Sequence, residues 1–400
     1  MPSSISASTP PPESSSTAFK DHIDAALVER LADAIAAVDP SFDATTFRDL
    51  ATSGMEGLEL KARIAHVAEA LQRTVPDDMI EAAVVIDGVL APGPDGGGDD
   101  GGAPGALTGW DVWPIAEWVA LAGRDDPEVS LELLARITRY ASGEFAIRPF
   151  IDDDPGAVMA RLSEWAGRDD EHVRRLVTEG TRPRLPWAPR LAVAEADPTF
   201  AVGLLDRLVD DPSEYVRRSV SNHLNDLCKV APDDTRRIAT EWSARADAAA
   251  AAGDSQGADR IRWVLRRGLR TLVKSGDPEV FRLLGHDPDI ALRVGLEVRT
   301  PQVDLGGAAE WTLRVESLEA ESHRIVVDYA IGFLRADGTP GRKVFKWKTR
   351  ELGAGETVVL DRRHKITPIS IRTYRSGTHP VWVQINGRVV AESAFELSAD

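Results

Sequence analysis

Residues 178–190 read Thr-Glu-Gly-Thr-Arg-Pro-Arg-Leu-Pro-Trp-Ala-Pro-Arg. Pro183, Pro186 and Pro189 cannot continue a helix, because proline lacks the N–H donor and clashes with the preceding turn. The segment therefore offers Arg182, Arg184 and Arg190 on an irregular loop beside Trp187. Such a set suits a phosphate clamp next to an aromatic platform. The alternative is a plain turn between helices with Trp187 tucked into the core. Three acids accompany this loop. Glu179 opens it, and Glu144 is embedded in the apolar run Phe145-Ala146-Ile147-Arg148-Pro149-Phe150. Asp226 sits in Ser221-Asn222-His223-Leu224-Asn225-Asp226-Leu227, a polar patch on a helix otherwise built to pack. Each acid alone reads as an exposed or capping residue; together they suggest carboxylates lining one inner face. A second aromatic group, Trp110, Trp113 and Trp118, is expected to give at least two residues to core packing.

Other chemistries find little support. There is no Walker A loop, no dinucleotide-binding glycine fingerprint after a strand, no nucleophile elbow and no His-Glu-x-x-His. The eight histidines are dispersed and Cys228 is the single cysteine, which excludes a disulfide scaffold and a cysteine-based zinc site. Neither metal nor cofactor is expected.

The elements that must position these residues are helical. Leu27, Leu31, Ile35 and Val38 recur at helical spacing, and residues 58–65 (Leu-Glu-Leu-Lys-Ala-Arg-Ile-Ala) are good helix formers. Residues 91–102 are rich in Gly, Pro and Asp and cannot bury a core, so they read as a flexible acidic insertion. Beyond it a repeat appears. Asp126-Pro127-Glu128-Val129, Asp169-Asp170-Glu171-His172-Val173 and Asp211-Pro212-Ser213-Glu214-Tyr215-Val216 each open a unit, with valines 44 and then 43 residues apart. Aspartate at a helix N-cap with an apolar-then-Arg step at this period is the HEAT-repeat pattern. A looser fourth copy lies near Arg262 to Pro278.

The last hundred residues change character. Residues 326–331, 344–347, 358–360 and 381–385 are β-rich runs separated by Asp337-Gly338, Gly353-Ala354-Gly355 and Asn386-Gly387. Asn386-Gly387 is a two-residue hairpin signal. The expected fold is mainly α: a HEAT-like-repeat α-solenoid followed by an all-β immunoglobulin-like sandwich. The expected parts are a disordered tail (1–17), an N-terminal helical part (18–90), the insertion (91–107), a catalytic and DNA-binding repeat region (108–290) and the sandwich (296–398).

Of 400 residues, 64 are acidic and 47 basic, a formal charge of −17 that argues against a polyanion-coating protein. The charge is uneven: residues 1–110 carry −12, residues 111–290 carry −7, and residues 291–400 carry +2, with +8 in 341–390. A polyanion-binding face outside the N-terminal region therefore stays open. No apolar run approaches the ~18 residues of a membrane span, and no signal peptide is evident at the N-terminus, so a cytoplasmic protein is expected.

Several strings resemble the bacterial DNA alkylation-repair glycosylases of the AlkC type, HEAT-like-repeat enzymes related to AlkD. They are the Leu-Glu-Leu-Lys-Ala-Arg run, residues 143–150, the Glu-Gly-Thr-Arg-Pro-Arg-Leu-Pro-Trp string of 179–187, residues 215–226 and residues 268–278. The C-terminal part, with Val344-Phe345-Lys346 and Arg362-Arg363-His364-Lys365, resembles the immunoglobulin-like domain of some members. The resemblance implies base excision repair: hydrolysis of the N-glycosidic bond of cationic alkylated bases, 3-methyladenine and 3-methylcytosine, without conventional base flipping. It puts the catalytic acids on Glu144, Glu179 and Asp226, with Trp187 as aromatic neighbour.

The chemistry accounts for those residue types. An N3-methylated base is already cationic and needs no protonation to leave. The bond breaks toward an oxocarbenium-like sugar. A carboxylate stabilises that charge, and another orients or deprotonates water. The expected sugar- and water-facing groups are Glu179 and Asp226, with Glu144 as electrostatic support. DNA holding is expected from Arg182, Arg184 and Arg190, from Arg266, Arg267 and Arg270 on a late helix, and from Arg362, Arg363 and Lys365 on a β-domain loop. Arg148, Asn222, Lys274 and His364 complete that set. The expected partner is double-stranded DNA carrying alkylated bases, bound by a monomer. The competing readings are a non-catalytic HEAT-repeat scaffold and a DNA-structure-binding relative.

Overall fold

The computed structural model describes residues 18–90, 107, 109–369 and 372–399. The expected tail and nearly all of the Gly-rich insertion lie outside them; Leu107, at the insertion's end, is buried. The chain forms two compact units, the first ending at Leu205 and the second beginning at Asp206. The boundary falls inside the 108–290 region that the repeat pattern had grouped together.

The first unit is helical. The helix Ala25–Val38 buries Leu27, Leu31 and Ile35, one stripe at i, i+4 and i+8, and Asp24 caps it by accepting the Leu27 N–H at 2.8 Å. The helix Leu60–Gln72 buries Ile64, Val67 and Leu71 and packs on Trp113–Ala122, which has Pro114 in its first turn. Of the three repeat openings, all lead into helices: Pro127–Ile137, Glu171–Gly180 and, in the second unit, Glu214–Val230. The capping differs from the sequence expectation. Asp170 accepts the His172 N–H, but Asp126 makes no side-chain cap. Ser213 occupies the N-cap position of the third helix, and Asp211 instead accepts the Ser213 N–H at 2.8 Å. Of the three valines, Val173 and Val216 are buried and Val129 is half-buried.

The second unit continues with Pro232–Ala251, Ser255–Gly268, Arg270–Ser275 and Pro278–Leu283, then, among the described residues, eight strands. These are β1 (Leu292–Val298), β2 (Gln302–Asp304), β3 (Ala308–Ser317), β4 (His323–Leu334), β5 (Pro340–Leu352), β6 (Thr357–Lys365), β7 (Gly377–Ile385) and β8 (Arg388–Ser398). They form two sheets, ordered β1-β3-β6 and β2-β8-β7-β4-β5. All pairings are antiparallel except β2 with β8. Trp311, Leu313 and Val315 from one sheet and Val327, Tyr329, Val381 and Val383 from the other fill the core between them. Asn386 and Gly387 both take positive φ, 47° and 83°, as a type I′ turn between β7 and β8 requires. The strands begin at Leu292, ahead of the expected start at 296.

One expectation is corrected here. Arg362, Arg363 and Lys365 lie on strand β6, paired along its length with β3, and not on a loop. Alternation then separates them. Arg363 and Lys365 are exposed, whereas Arg362 and His364 turn to the other face. Among the described residues no helix is long and apolar enough to cross a membrane.

Candidate active site

In the first unit the helix Glu171–Gly180 ends where Gly180 crosses Ile147; a Cβ there would lie 2.6 Å from the Ile147 side chain. Only glycine permits that approach, and it sets Glu179 beside the turn that carries Glu144. Both carboxylates face a cavity of about 480 Å³ lined also by Trp110, Trp113, Phe145, Arg175, Arg182 and Trp187.

Arg175 stands between the two acids, 3.0 Å from Glu144 and 3.9 Å from Glu179. It also donates to the Ser142 hydroxyl at 2.7 Å, and that hydroxyl donates to Glu144 at 2.7 Å. Arg182 donates to Glu179 at 2.5 Å. Glu179 is only 5% exposed. Carboxylates paired with guanidinium groups at the wall of a cavity are preorganised negative charge: they need no reorganisation to stabilise a positive charge that develops there.

The rest of the wall is aromatic. Trp113 stacks on Phe145 with centroids 5.6 Å apart and planes at 12°. Trp110 lies 5.4 Å from Trp113, and the His22 ring stacks on it at 4.8 Å. Phe19 reaches both Trp110 and Trp187, at 6.1 and 6.4 Å. The expectation that two of the three tryptophans pack the core is corrected: Trp118 is buried, while Trp110 and Trp113 face the cavity. The reason is phase. Trp118 points inward from the helix body, whereas Trp113 is its first residue and Trp110 precedes it.

Trp187 is not tucked into a core. It is 61% exposed and holds φ at 66°, in the left-handed region. Its loop is fastened from below. Arg148 is 2% exposed, and its guanidinium donates to the carbonyls of Gly180, Arg182 and Pro189 at 2.8, 3.0 and 2.7 Å. Arg148 is therefore corrected from a DNA contact to an internal tie, because it is buried and both terminal nitrogens of its guanidinium are turned onto the loop. Burial pushes its guanidinium down to about 10, still charged at neutral pH. Lys61 donates to the Trp187 carbonyl at 2.5 Å and lies 5.1 Å over the Phe145 ring.

The structure thus brings Glu144, Glu179, Arg182 and Trp187 to one cavity. Arg184 and Arg190 are exposed on the same loop. Asp226 belongs to the second unit, where it is buried on Glu214–Val230 with Lys229 at 3.6 Å. In that unit Arg270 donates to Asn222 at 3.2 Å, and Lys274, Arg266 and Arg267 are exposed. His364 is corrected as a cationic contact. Burial, with Arg362, Arg372 and Lys343 nearby, pushes its imidazole down to about 4, so it is neutral beside the Tyr329 hydroxyl at 2.9 Å.

Sequence reasoning missed Arg175, Phe145, Lys61 and, in the second unit, Trp263. Arg175 had a signal, since it precedes Glu179 by one helical turn. Phe145 adjoins Glu144. Lys61 had none, being 126 residues from Trp187. Trp263 lies beneath both Arg217 and Arg267, at 5.5 and 5.6 Å.

Comparison with known proteins agrees with this architecture. Residues 293–399 match the family model described as uncharacterised protein YhaZ, C-terminal Ig-like domain. The uncharacterized protein YhaZ of Bacillus subtilis (strain 168) is 29% identical over 373 residues, 93% of this chain and 97% of the relative. The Pseudomonas fluorescens alkylpurine DNA glycosylase AlkC, solved bound to DNA containing an abasic site analog, is 32% identical, with a TM-score of 0.82. The match covers 96% of this chain and 100% of that one. The chain belongs to the AlkC family. Its mainly helical body followed by an immunoglobulin-like sandwich is the AlkC fold. Within this AlkC-type chain the cavity lies wholly in the first unit, and the part that matches the YhaZ model begins one residue inside β1.

Proposed function

We propose that the protein is a DNA glycosylase of base excision repair that hydrolyses the N-glycosidic bond of cationic N3-alkylated bases, with 3-methyladenine and 3-methylcytosine as substrates. The observation that carries this reading is the cavity in which Glu144 and Glu179, each paired with an arginine, share a wall with exposed Trp187. The alkylpurine activity named for the Pseudomonas relative supports it.

In the reaction the bond from the sugar C1′ to the base nitrogen breaks with its electron pair going to the base, which leaves neutral. The sugar carries the positive charge, and water then bonds to C1′ and gives up a proton. Glu179, in the cavity, is assigned to the sugar cation with Glu144 as electrostatic support; the family resemblance, and not the cavity, adds Asp226, assigned to the water. The face of Trp187 attracts the cationic base by ~0.5–2 kcal/mol. No cofactor enters these steps. The base is engaged without conventional flipping, so the DNA is deformed at a cost of a few kcal/mol.

The partner is double-stranded DNA, bound by a monomer in the cytoplasm. Residues 108–290 supply the catalytic and DNA-binding surface and 296–398 a clamp. Arg184, Arg190, Arg266, Arg267, Lys274, Arg363 and Lys365 are the exposed cations that fit phosphate contacts. The test is release of free base from methylated duplex DNA. Wild-type protein is expected to release 3-methyladenine; Glu179→Gln is expected to bind the duplex and release none. Wild-type turnover in that variant overturns the mechanism, and no release by the wild type overturns the function.

A further inference from the structure

Trp187 combines three properties that rarely occur together. Its ring is exposed, its backbone takes a conformation that L side chains rarely adopt, and the loop around it holds three prolines. Burial of the ring therefore does not hold it in place. The loop's carbonyls do. Those of Gly180, Arg182 and Pro189 are taken by Arg148, and that of Trp187 itself by Lys61.

The two cations differ in kind. Arg148 is buried, so removing it disturbs the fold. Lys61 is exposed at the start of the helix Leu60–Gln72, and the body of that helix is held by its own buried stripe. Its ammonium is placed by more than one group: it lies over the Phe145 ring, and it stabilises the ionised form of Glu117, whose carboxyl burial pushes up. Lys61, Glu117, Arg148 and Arg190 line a second cavity of about 320 Å³.

We propose that Lys61 is a positioning residue for Trp187, holding its backbone from the N-terminal helical segment so that the ring faces the cavity with Glu144 and Glu179. The inference rests on reading that cavity as the site of base release. An exposed lysine near a DNA-binding loop has a rival role as a phosphate contact, and the two roles separate experimentally. A phosphate contact acts on affinity and on its salt dependence. A positioning residue acts on the chemical step and only through Trp187, so its effect vanishes when Trp187 is gone.

The experiment uses the full chain with Lys61→Met, Lys61→Arg, Trp187→Ala and the double variant Lys61→Met/Trp187→Ala. Single-turnover release of 3-methyladenine, affinity for undamaged duplex and its salt slope are measured for each. In parallel the protein is labelled with 5-fluorotryptophan, and the Trp187 resonance is assigned with Trp187→Phe. Lys61→Met is expected to slow release about tenfold at unchanged affinity and salt slope, and to shift or broaden the Trp187 resonance. Lys61→Arg is expected to restore both, and the double variant to release no more slowly than Trp187→Ala. Additive losses, a salt slope lowered by about one, or an unmoved resonance each overturn the proposal. If the wild type releases no base, the proposed function fails, and the fluorine spectra alone then decide the role of Lys61.

Discussion

Arg182 donates to Glu179 at 2.5 Å, and both side chains are nearly out of water. A buried carboxylate keeps its charge at low cost only while such a partner stands beside it. Arg175, at 3.9 Å, is a weaker substitute. Arg182→Ala is therefore expected to lower unfolding free energy by roughly 3 kcal/mol, measured by urea titration. A variant of wild-type stability would show that Glu179 does not depend on this pair.

Trp187 occupies the left-handed region with little burial to offset its cost. Trp187→Gly relieves that conformation, so its stability should stay within about 1 kcal/mol of wild type. Base release should nevertheless fall, by about two- to thirtyfold, since a cation–π face is lost. Calorimetry alongside the release assay checks both halves; a large drop in melting temperature would make Trp187 a structural residue.

Arg148 satisfies three carbonyls from a buried position. Arg148→Met strands them and is expected to cost about 3 kcal/mol. Because those bonds are internal and the side chain is buried, the salt slope of duplex binding should not change. A slope reduced by about one would restore the DNA-contact reading.

On β6 the alternation of side chains separates two roles. Arg362 lies over the Tyr329 ring at 5.0 Å and donates to its hydroxyl at 3.1 Å, while Arg363 is exposed beside Glu310. Arg363→Ala should lower the salt slope of DNA binding by about one, and Arg362→Ala should leave it unchanged while lowering the melting temperature. The opposite pattern would place the clamp on the other face.

His364 gives a pH dependence with a definite sign. Its folded value is about 4, below the ordinary 6.5. The unfolded chain therefore binds the proton first, and stability is full above about 6.5 and declines as pH falls toward 4. His364→Phe keeps an aromatic ring beside Phe345 and removes that titration. The difference in melting temperature between pH 7 and pH 4.5 should shrink in this variant. An unchanged difference would assign the acid limb to other groups.

The sequence by itself determined the class of fold and marked several of the residues that line the cavity. The period of the valines and the switch from helical to alternating spacing are local, so they survive without coordinates. The proline-broken loop, Glu179 and Glu144 were legible because their residue types conflict with simple packing. What only the tertiary structure decided is who stands next to whom. Lys61 and Trp187 are 126 residues apart, and no local pattern relates them. Arg148 and Arg184 look alike as arginines, yet burial turns one into an internal tie and leaves the other exposed. Trp110 and Trp113 likewise lost their expected place in the core to a cavity wall. The physical reason is common to all three: a side chain's role follows from its burial and its partners, and both are set by long-range packing that residue type and spacing do not encode.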